Sequence, residues 1–150
     1  MKPVAKKATP AAIAVLRQAT AICPLRMKAS DGLLPSKAHI HQNPNSDHNT
    51  GYAVDLTHDK LGGIDCILLF SKLQEDPRVS YLIFQGKIWS REKGLREYTG
   101  SNKHNKHLHI SIKDRCGDDT SPWFPWLGKP KVVNKVKAAI KPLPKKKENQ

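Results

Sequence analysis

Cysteine is scarce in this chain of 150 residues: there are three, Cys23, Cys66 and Cys116, far apart and with no CxxC pair. That spacing excludes a disulfide framework and a thiolate-ligated zinc knuckle. Each cysteine reads instead as a small buried hydrophobe, a usage that suits folding in a reducing cytoplasm. No apolar run approaches the roughly 20 residues of a membrane-spanning helix, so no transmembrane segment is expected. The opening MKPVAKKATPAAIAVL sets basic residues before an apolar stretch, but Arg17 and Gln18 interrupt it and its apolar residues recur with a helical period. An amphipathic helix is expected there, and no classical export signal is evident. Acidic residues number 13 against 26 lysines and arginines, and the aromatic residues, 6% of the chain, are not interleaved with basic ones as in nucleic-acid-binding motifs. No internal repeat is present.

The net charge of +13 is unevenly spread: residues 129–150 hold eight lysines and a single acid, Glu148. That segment lacks core-forming apolar residues, so the chain divides into a domain at residues 1–128 and a Lys-rich basic tail at 129–150. Within the tail, KVVNKVKAAIK has the pattern of a short amphipathic helix for an acidic surface. A domain of this length buries a core without staples. Its charge favours polyanions, whether nucleic acid, acidic headgroups or anionic cell-envelope polymer, without choosing among them.

Pro10 suits the first turn of a helix running to about Cys23, with Ile13, Leu16, Ala19 or Thr20, and Cys23 on its buried face. Residues 29–51 are rich in Gly, Pro, Asn, Asp and Ser and read as irregular, and 52–57 as a strand. Residues 63–74 suit a helix that buries Ile64, Ile67 or Leu68, and Phe70 or Ser71. VSYLIFQGKIWS predicts a hairpin turning at Gln85-Gly86-Lys87. A polar loop over 91–106 then leads to a last strand, HLHISI, and SPWFPWLG lays its tryptophans across the core edge. These elements predict an α+β fold, a small antiparallel sheet with flanking helices.

Two stretches carry the chemistry: SDHNTGYAVDL at residues 46–56 and HNKHLHISI at 104–112. Strand residues two apart share a face, so His107 and His109 project together while Leu108 and Ile110 enter the core. In YAVDLT, Asp55 takes the face opposite Val54 and Leu56. If the two strands are antiparallel neighbours, Asp55 and His109 meet on the polar face, and His48 enters across the bend at Gly51. The result is an N, O, N ligand set with a fourth position open, the pattern of catalytic rather than structural zinc. Water on such a metal has a pKa near about 7, His107 is placed to take its proton, and His104 to donate to an oxyanion. Taken singly the parts are weak: HxH arises on any half-exposed strand, and Asp55 suits a turn or cap. His39, His41 and His58 read as surface or hydrogen-bonded histidines.

SDHNTGYAVDL resembles the SxHxxGxAxD motif of zinc D-alanyl-D-alanine carboxypeptidases and related murein endopeptidases. HNKHLHIS resembles the HxH end of the same superfamily, which includes lysostaphin-type enzymes and the hedgehog signalling domain. The resemblance covers most of residues 30–112 and is nearest to the compact peptidase domains of phage endolysins. It implies a hedgehog/DD-peptidase-like fold and one Zn2+ per chain held by His48, Asp55 and His109. It also implies His107 as catalytic base, His104 in support, and framework roles for Ser46 and Gly51. Members with an ExxH motif carry an acid where this chain has Lys106, which leaves the base to His107. The carboxypeptidases also carry an upstream arginine for the substrate carboxylate. None lies between Arg26 and His48, and only Lys37 stands in as a substrate-binding residue. That departure favours an endopeptidase.

The expectation is therefore a monomeric zinc peptidase cutting stem or cross-link peptides of peptidoglycan, with its basic tail on anionic envelope polymers. It would be made in the cytoplasm and act at the bacterial wall after phage-type release, or in the cytoplasm itself. The rival expectation is a nucleic-acid- or polyanion-binding protein with structural zinc and no hydrolase activity. It is disfavoured because the charge lies mostly outside the domain.

Overall fold

A computed structural model describes residues 3–128. The basic tail and its amphipathic segment lie outside the described residues. In chain order the elements are α1 (Pro10–Ile22), α2 (Lys37–Gln42), β1 (Ala53–Thr57), α3 (Cys66–Lys72), β2 (Val79–Phe84), β3 (Lys87–Ser90), β4 (Gly94–Glu97) and β5 (His107–Ile112). Single 3-10 turns occur at Asp47–Thr50, Leu73–Glu75 and Asp114–Cys116. The five strands form one antiparallel sheet in the order β1-β5-β2-β3-β4, an α+β arrangement. β5, the last strand among the described residues, inserts between β1 and β2, so residues far apart in sequence become cross-strand neighbours.

One sheet face is the core. Val54, Leu56, Leu82, Phe84, Leu108, Ile110 and Ile112 are buried there with α1 and α3. Burying a side chain of this size stabilises the fold by about 1.5–3 kcal/mol before entropy is counted. Asp55, His107, His109 and Ser111 lie on the opposite face, as period-two alternation dictates.

Thr9 caps α1 by accepting the Ala12 N–H, and Pro10 takes the first helical turn. The buried face of α1 is Ala11, Val15, Ala19 and Ile22; of the expected set Ala19 and Cys23 are buried, while Val15 rather than Leu16 fills the turn between. Ile13 and Leu16 pack only at its margin. Small alanines at the contact let the helix approach β1 closely, an advantage that residue size alone does not reveal. α3 is shorter than residues 63–74, because Gly63 turns the chain at φ 105° and Asp65 caps at the Ile67 N–H. Ile64 is buried and Phe70 packs against the core as expected, but Cys66, Leu69 and Leu73 complete the buried face, whereas Ile67 is 60% and Leu68 40% exposed.

The β2–β3 hairpin turns on two residues, Gln85 (φ 48°) and Gly86 (φ 79°), both in the left-handed region, with Phe84 paired to Lys87. Two successive positive φ values match the right-handed twist of the strands. The segment expected as one polar loop contains β4, and the stretch expected as irregular contains α2.

Of the two tryptophans expected at the core edge, Trp126 packs there, but Trp123 enters the core with Phe124 and donates Nε1–H to the Ala11 carbonyl at 3.1 Å. The Arg78 guanidinium stacks 3.6 Å from the Trp123 ring centroid and donates to the Ser121 and Pro122 carbonyls. Cys23 and Cys66 are buried, and burial pushes the Cys66 thiol up to about 12. Among the described residues no helix is long and apolar enough to cross a membrane.

Candidate metal centre

β1 and β5 pair with Asp55 opposite His109 and Thr57 opposite His107. The carboxylate and both imidazoles therefore share one patch of the polar face. His48 reaches that patch from the 3-10 turn Asp47–Thr50. Ser46 caps the turn by accepting the His48 N–H at 3.2 Å. Gly51 ends it at φ 83°, where a side chain would place Cβ 2.8 Å from the Lys7 carbonyl. Thr9 donates both its N–H and its hydroxyl to the Gly51 carbonyl. The first motif thus serves as a rigid elbow delivering His48 to the start of β1.

His48 Nε2 lies 3.2 Å, and His109 Nδ1 3.3 Å, from the same Asp55 oxygen, Oδ1. The far nitrogen of each ring is held from behind. His48 Nδ1–H donates to the Leu33 carbonyl at 2.7 Å, and His109 Nε2 is hydrogen-bonded to Ser111 Oγ at 2.8 Å. With those nitrogens engaged, the inner ones are the atoms turned toward Asp55, as second-shell partners arrange in metal sites. Leu33 is positioned because Gly32 and Asp55 exchange N–H···O bonds of 3.1 and 2.8 Å along the outer edge of β1. Tyr81 of β2 stacks on the His109 ring at 5.4 Å and 17°. Burial and the Asp47 carboxylate push its phenol up to about 12.

His107 and His104 form a second rank. His107 Nε2 is 3.6 Å from the other Asp55 oxygen, Oδ2. The His104 ring lies 5.0 Å from that of His107 and 5.6 Å from that of His109, edge to face. His104 sits at φ 59°, an uncommon left-handed conformation for a residue with a side chain. Its loop is clamped to the hairpin by Gln85 and Gly86 N–H groups donating to the His104 and Lys103 carbonyls, while Asn102 accepts the His104 N–H. His104 Nδ1 is buried without a hydrogen-bond partner.

Burial disfavours charge throughout the patch. On His48 the hydrogen bond and charge of Asp55 outweigh burial and raise the pKa. Burial would raise the Asp55 carboxyl, but His109 and His48 together hold it well below the usual carboxylate range. Burial, helped by neighbouring His109 and His107, lowers His104 to about 4, and burial also lowers His107. The site is thus an ionised carboxylate ringed by imidazoles, of which two favour the neutral form.

Among the described residues two groups could hold a metal ion: His48, Asp55 and His109, and Asp55, His104 and His107. Within each group the donor atoms lie within 4.8 Å of one another. The first fits a metal on chemical grounds, with two imidazole nitrogens and an ionised carboxylate oxygen converging from three elements.

The patch floors a cleft of about 600 Å³, lined also by Ser46, Tyr98 and Asn102. A smaller depression of about 180 Å³, bounded by Leu33, Leu34 and Pro35, abuts it, and His39, His48 and Asp55 line both.

Of the residues singled out in the sequence, His48, Asp55, His104, His107 and His109 converge here, and Ser46 and Gly51 shape the approach of His48. Lys37 is exposed at the first turn of α2, and the residues lining the cleft do not include it. His39, expected as a surface or hydrogen-bonded histidine, is hydrogen-bonded to Ser46 Oγ at 3.1 Å and also stands 5.7 Å from the His48 ring. His41 is exposed on α2, and His58 accepts the Cys66 N–H at 3.0 Å. Leu33, Tyr81 and Ser111 carry no motif signal; only the S of HLHISI, two residues after His109, hints at a same-face partner.

No family model, curated protein or solved structure matches the chain. The functional reading therefore rests on the two motifs and on the geometry above.

Proposed function

We propose that this chain is a zinc-dependent peptidase that hydrolyses amide bonds in peptidoglycan stem or cross-link peptides, by chemistry like that of the murein endopeptidases its motifs resemble. The observation that carries the reading is the convergence of His48, Asp55 and His109, with His107 and His104 beside them, at the floor of an open cleft. His48, Asp55 and His109 would hold the ion, since N, O, N ligation with an open side is the catalytic pattern for zinc. Zinc held there supplies Lewis-acid polarisation and a nucleophile usable at neutral pH.

The chain's own residues supply the remainder. His107, half-buried and unburdened by a backing hydrogen bond among the described residues, takes the nucleophile's proton at Nε2 and returns it to the leaving amine. His104 donates a hydrogen bond to the oxyanion that develops on the scissile carbonyl. Asp55 keeps both ligand imidazoles in register through Oδ1 and faces His107 through Oδ2.

Cutting within a chain, rather than at its end, is favoured by two features. Depressions on either side of His39, His48 and Asp55 accommodate peptide on both sides of the scissile bond. No arginine lines either depression. Arg26, the last arginine before the first motif, is buried and bonded to both oxygens of Asp31, so it is not free to hold a terminal carboxylate. Action at the bacterial wall, with the lysine-rich tail on anionic polymer, completes the proposal.

Zinc-loaded protein incubated with peptidoglycan should generate new amino termini, detected by mass spectrometry and abolished by a chelator. Absence of cleavage across several wall types would overturn the reading. Salt-sensitive DNA binding without hydrolysis would replace it with a polyanion-binding role.

A further inference from the structure

Asp55 offers its two oxygens to two different sets of histidines. Oδ1 is shared by His48 and His109, at 3.2 and 3.3 Å, whereas Oδ2 faces His107 Nε2 at 3.6 Å. His104 stands over the second set with its rings edge to face on both His107 and His109. The second set does not need the first to be complete, since its own donor atoms, from Asp55, His104 and His107, lie within 4.8 Å of one another. A carboxylate with imidazoles gathered about each oxygen is the arrangement that bridges paired metals in two-metal sites.

We propose that the chain has a second divalent-metal position formed by His104, His107 and the free oxygen of Asp55, so that Asp55 bridges two ions, and that filling this position stops turnover.

The two positions differ in what stands behind them. The first set is backed by the Leu33 carbonyl on His48 and Ser111 Oγ on His109. Among the described residues neither His104 nor His107 has a backing hydrogen bond as short as these: His104 Nδ1 is buried with no partner at hydrogen-bond distance, and only a weaker approach of the Asn102 backbone supports its ring. Loss of outer-shell partners typically costs about 10–100-fold in metal affinity. The second position is therefore the weaker by at least about ten-fold. Two features keep it from being an accident of mobile side chains. The His104 loop is tied to the β2–β3 turn by two backbone hydrogen bonds, and His104 is held at φ 59° with its N–H on Asn102 Oδ1. The geometry is held at the expense of an uncommon backbone conformation, as occurs where a side chain must be aimed.

The consequence for turnover rests on the peptidase reading; the existence of the position does not. An ion on His104 and His107 takes the lone pair that accepts the proton and the group that meets the oxyanion. Activity should rise as the first equivalent of zinc binds and fall as the second does.

The full chain, stripped of metal and kept reduced, would be titrated with Zn2+ alone by calorimetry, with native mass spectrometry counting the ions. Two equivalents are expected, the second at least about ten-fold weaker. His104→Asn and His107→Asn, made separately, should each remove the weaker equivalent and keep the tighter one, whose retention reports an intact fold. Binding of a single equivalent by the unaltered chain would overturn the proposal. So would two equivalents persisting in both variants, since the weak ion would then sit elsewhere. Loss of both equivalents in both variants would also overturn it, because the histidines would then serve one site. A failure of the peptidase reading shows itself separately, as two bound ions with no cleavage at any zinc concentration.

Discussion

Asp55 and His109 stand directly opposite each other in the β1–β5 register, and Asp55 Oδ1 approaches His109 Nδ1 to 3.3 Å. The pairing exists because β5 inserts beside β1 rather than at the far edge of the sheet. It makes one carboxylate the centre of the whole histidine cluster, and the consequences can be measured.

His107→Ala should lower hydrolysis by about 10²–10⁴-fold, the usual worth of a positioned general base, while the tight zinc equivalent stays bound. The pairing of steady-state kinetics with metal analysis separates the roles. If the tight equivalent is lost with His107, the assignment of base and ligands is wrong.

Ser111→Ala removes the hydrogen bond behind His109 without touching the metal-facing nitrogen. Zinc affinity should fall about 10–100-fold, read by competition with a chromogenic chelator, while the unfolding midpoint of the metal-free chain moves little. An unchanged affinity would show that β5 alone orients the ring.

Gly51→Ala places Cβ 2.8 Å from the Lys7 carbonyl at φ 83°. The left-handed conformation alone costs about 1–2 kcal/mol for a residue with a side chain, and the contact adds to it. The variant should unfold at lower denaturant and bind zinc more weakly, since the elbow carrying His48 must shift.

Asp31 pairs bidentately with Arg26, which is 4% exposed, and also accepts from the Thr57 N–H and hydroxyl. Asp31→Ala leaves that guanidinium buried without its partner and should cost about 3–5 kcal/mol in urea denaturation.

The same group sets an acid limit. Burial alone would raise the Asp31 carboxyl, but the Arg26 and Thr57 hydrogen bonds outweigh it and hold the pKa low. A lowered folded-state pKa means that its stabilisation is full above the unfolded value of about 3.9 and is lost as pH falls below it toward the folded one. The stability difference between the unaltered chain and Asp31→Asn should therefore shrink below about pH 4. A difference that stays constant through that range would remove Asp31 from the acid transition.

The local features of the sheet and its motifs are legible in the chain because period-two alternation is a property of adjacent residues. Leu108 and Ile110 point to the core, and His107 and His109 away from it, whatever strand lies alongside. Pro10 marks a helix start for the same local reason, as does Gln85-Gly86-Lys87 for a hairpin. The spacing of His48, Gly51 and Asp55 likewise announces an elbow leading into a strand.

Partnership and phase are decided only by the folded chain. Nothing near Asp55 in sequence says that its cross-strand neighbour is His109 rather than a residue of β2; that follows from β5 entering the middle of the sheet. The faces of α1 and α3 match the expected ones only in part, at Ala19, Cys23, Ile64 and Phe70, because the sheet also selects close-packing alanines in α1 and Cys66, Leu69 and Leu73 in α3. The Leu33 carbonyl behind His48, His39 at the cleft and the division of Asp55 between two histidine sets are likewise products of long-range packing. Alternation is written into the order of residues, whereas the identity of a neighbour across space depends on which distant surfaces bury each other best.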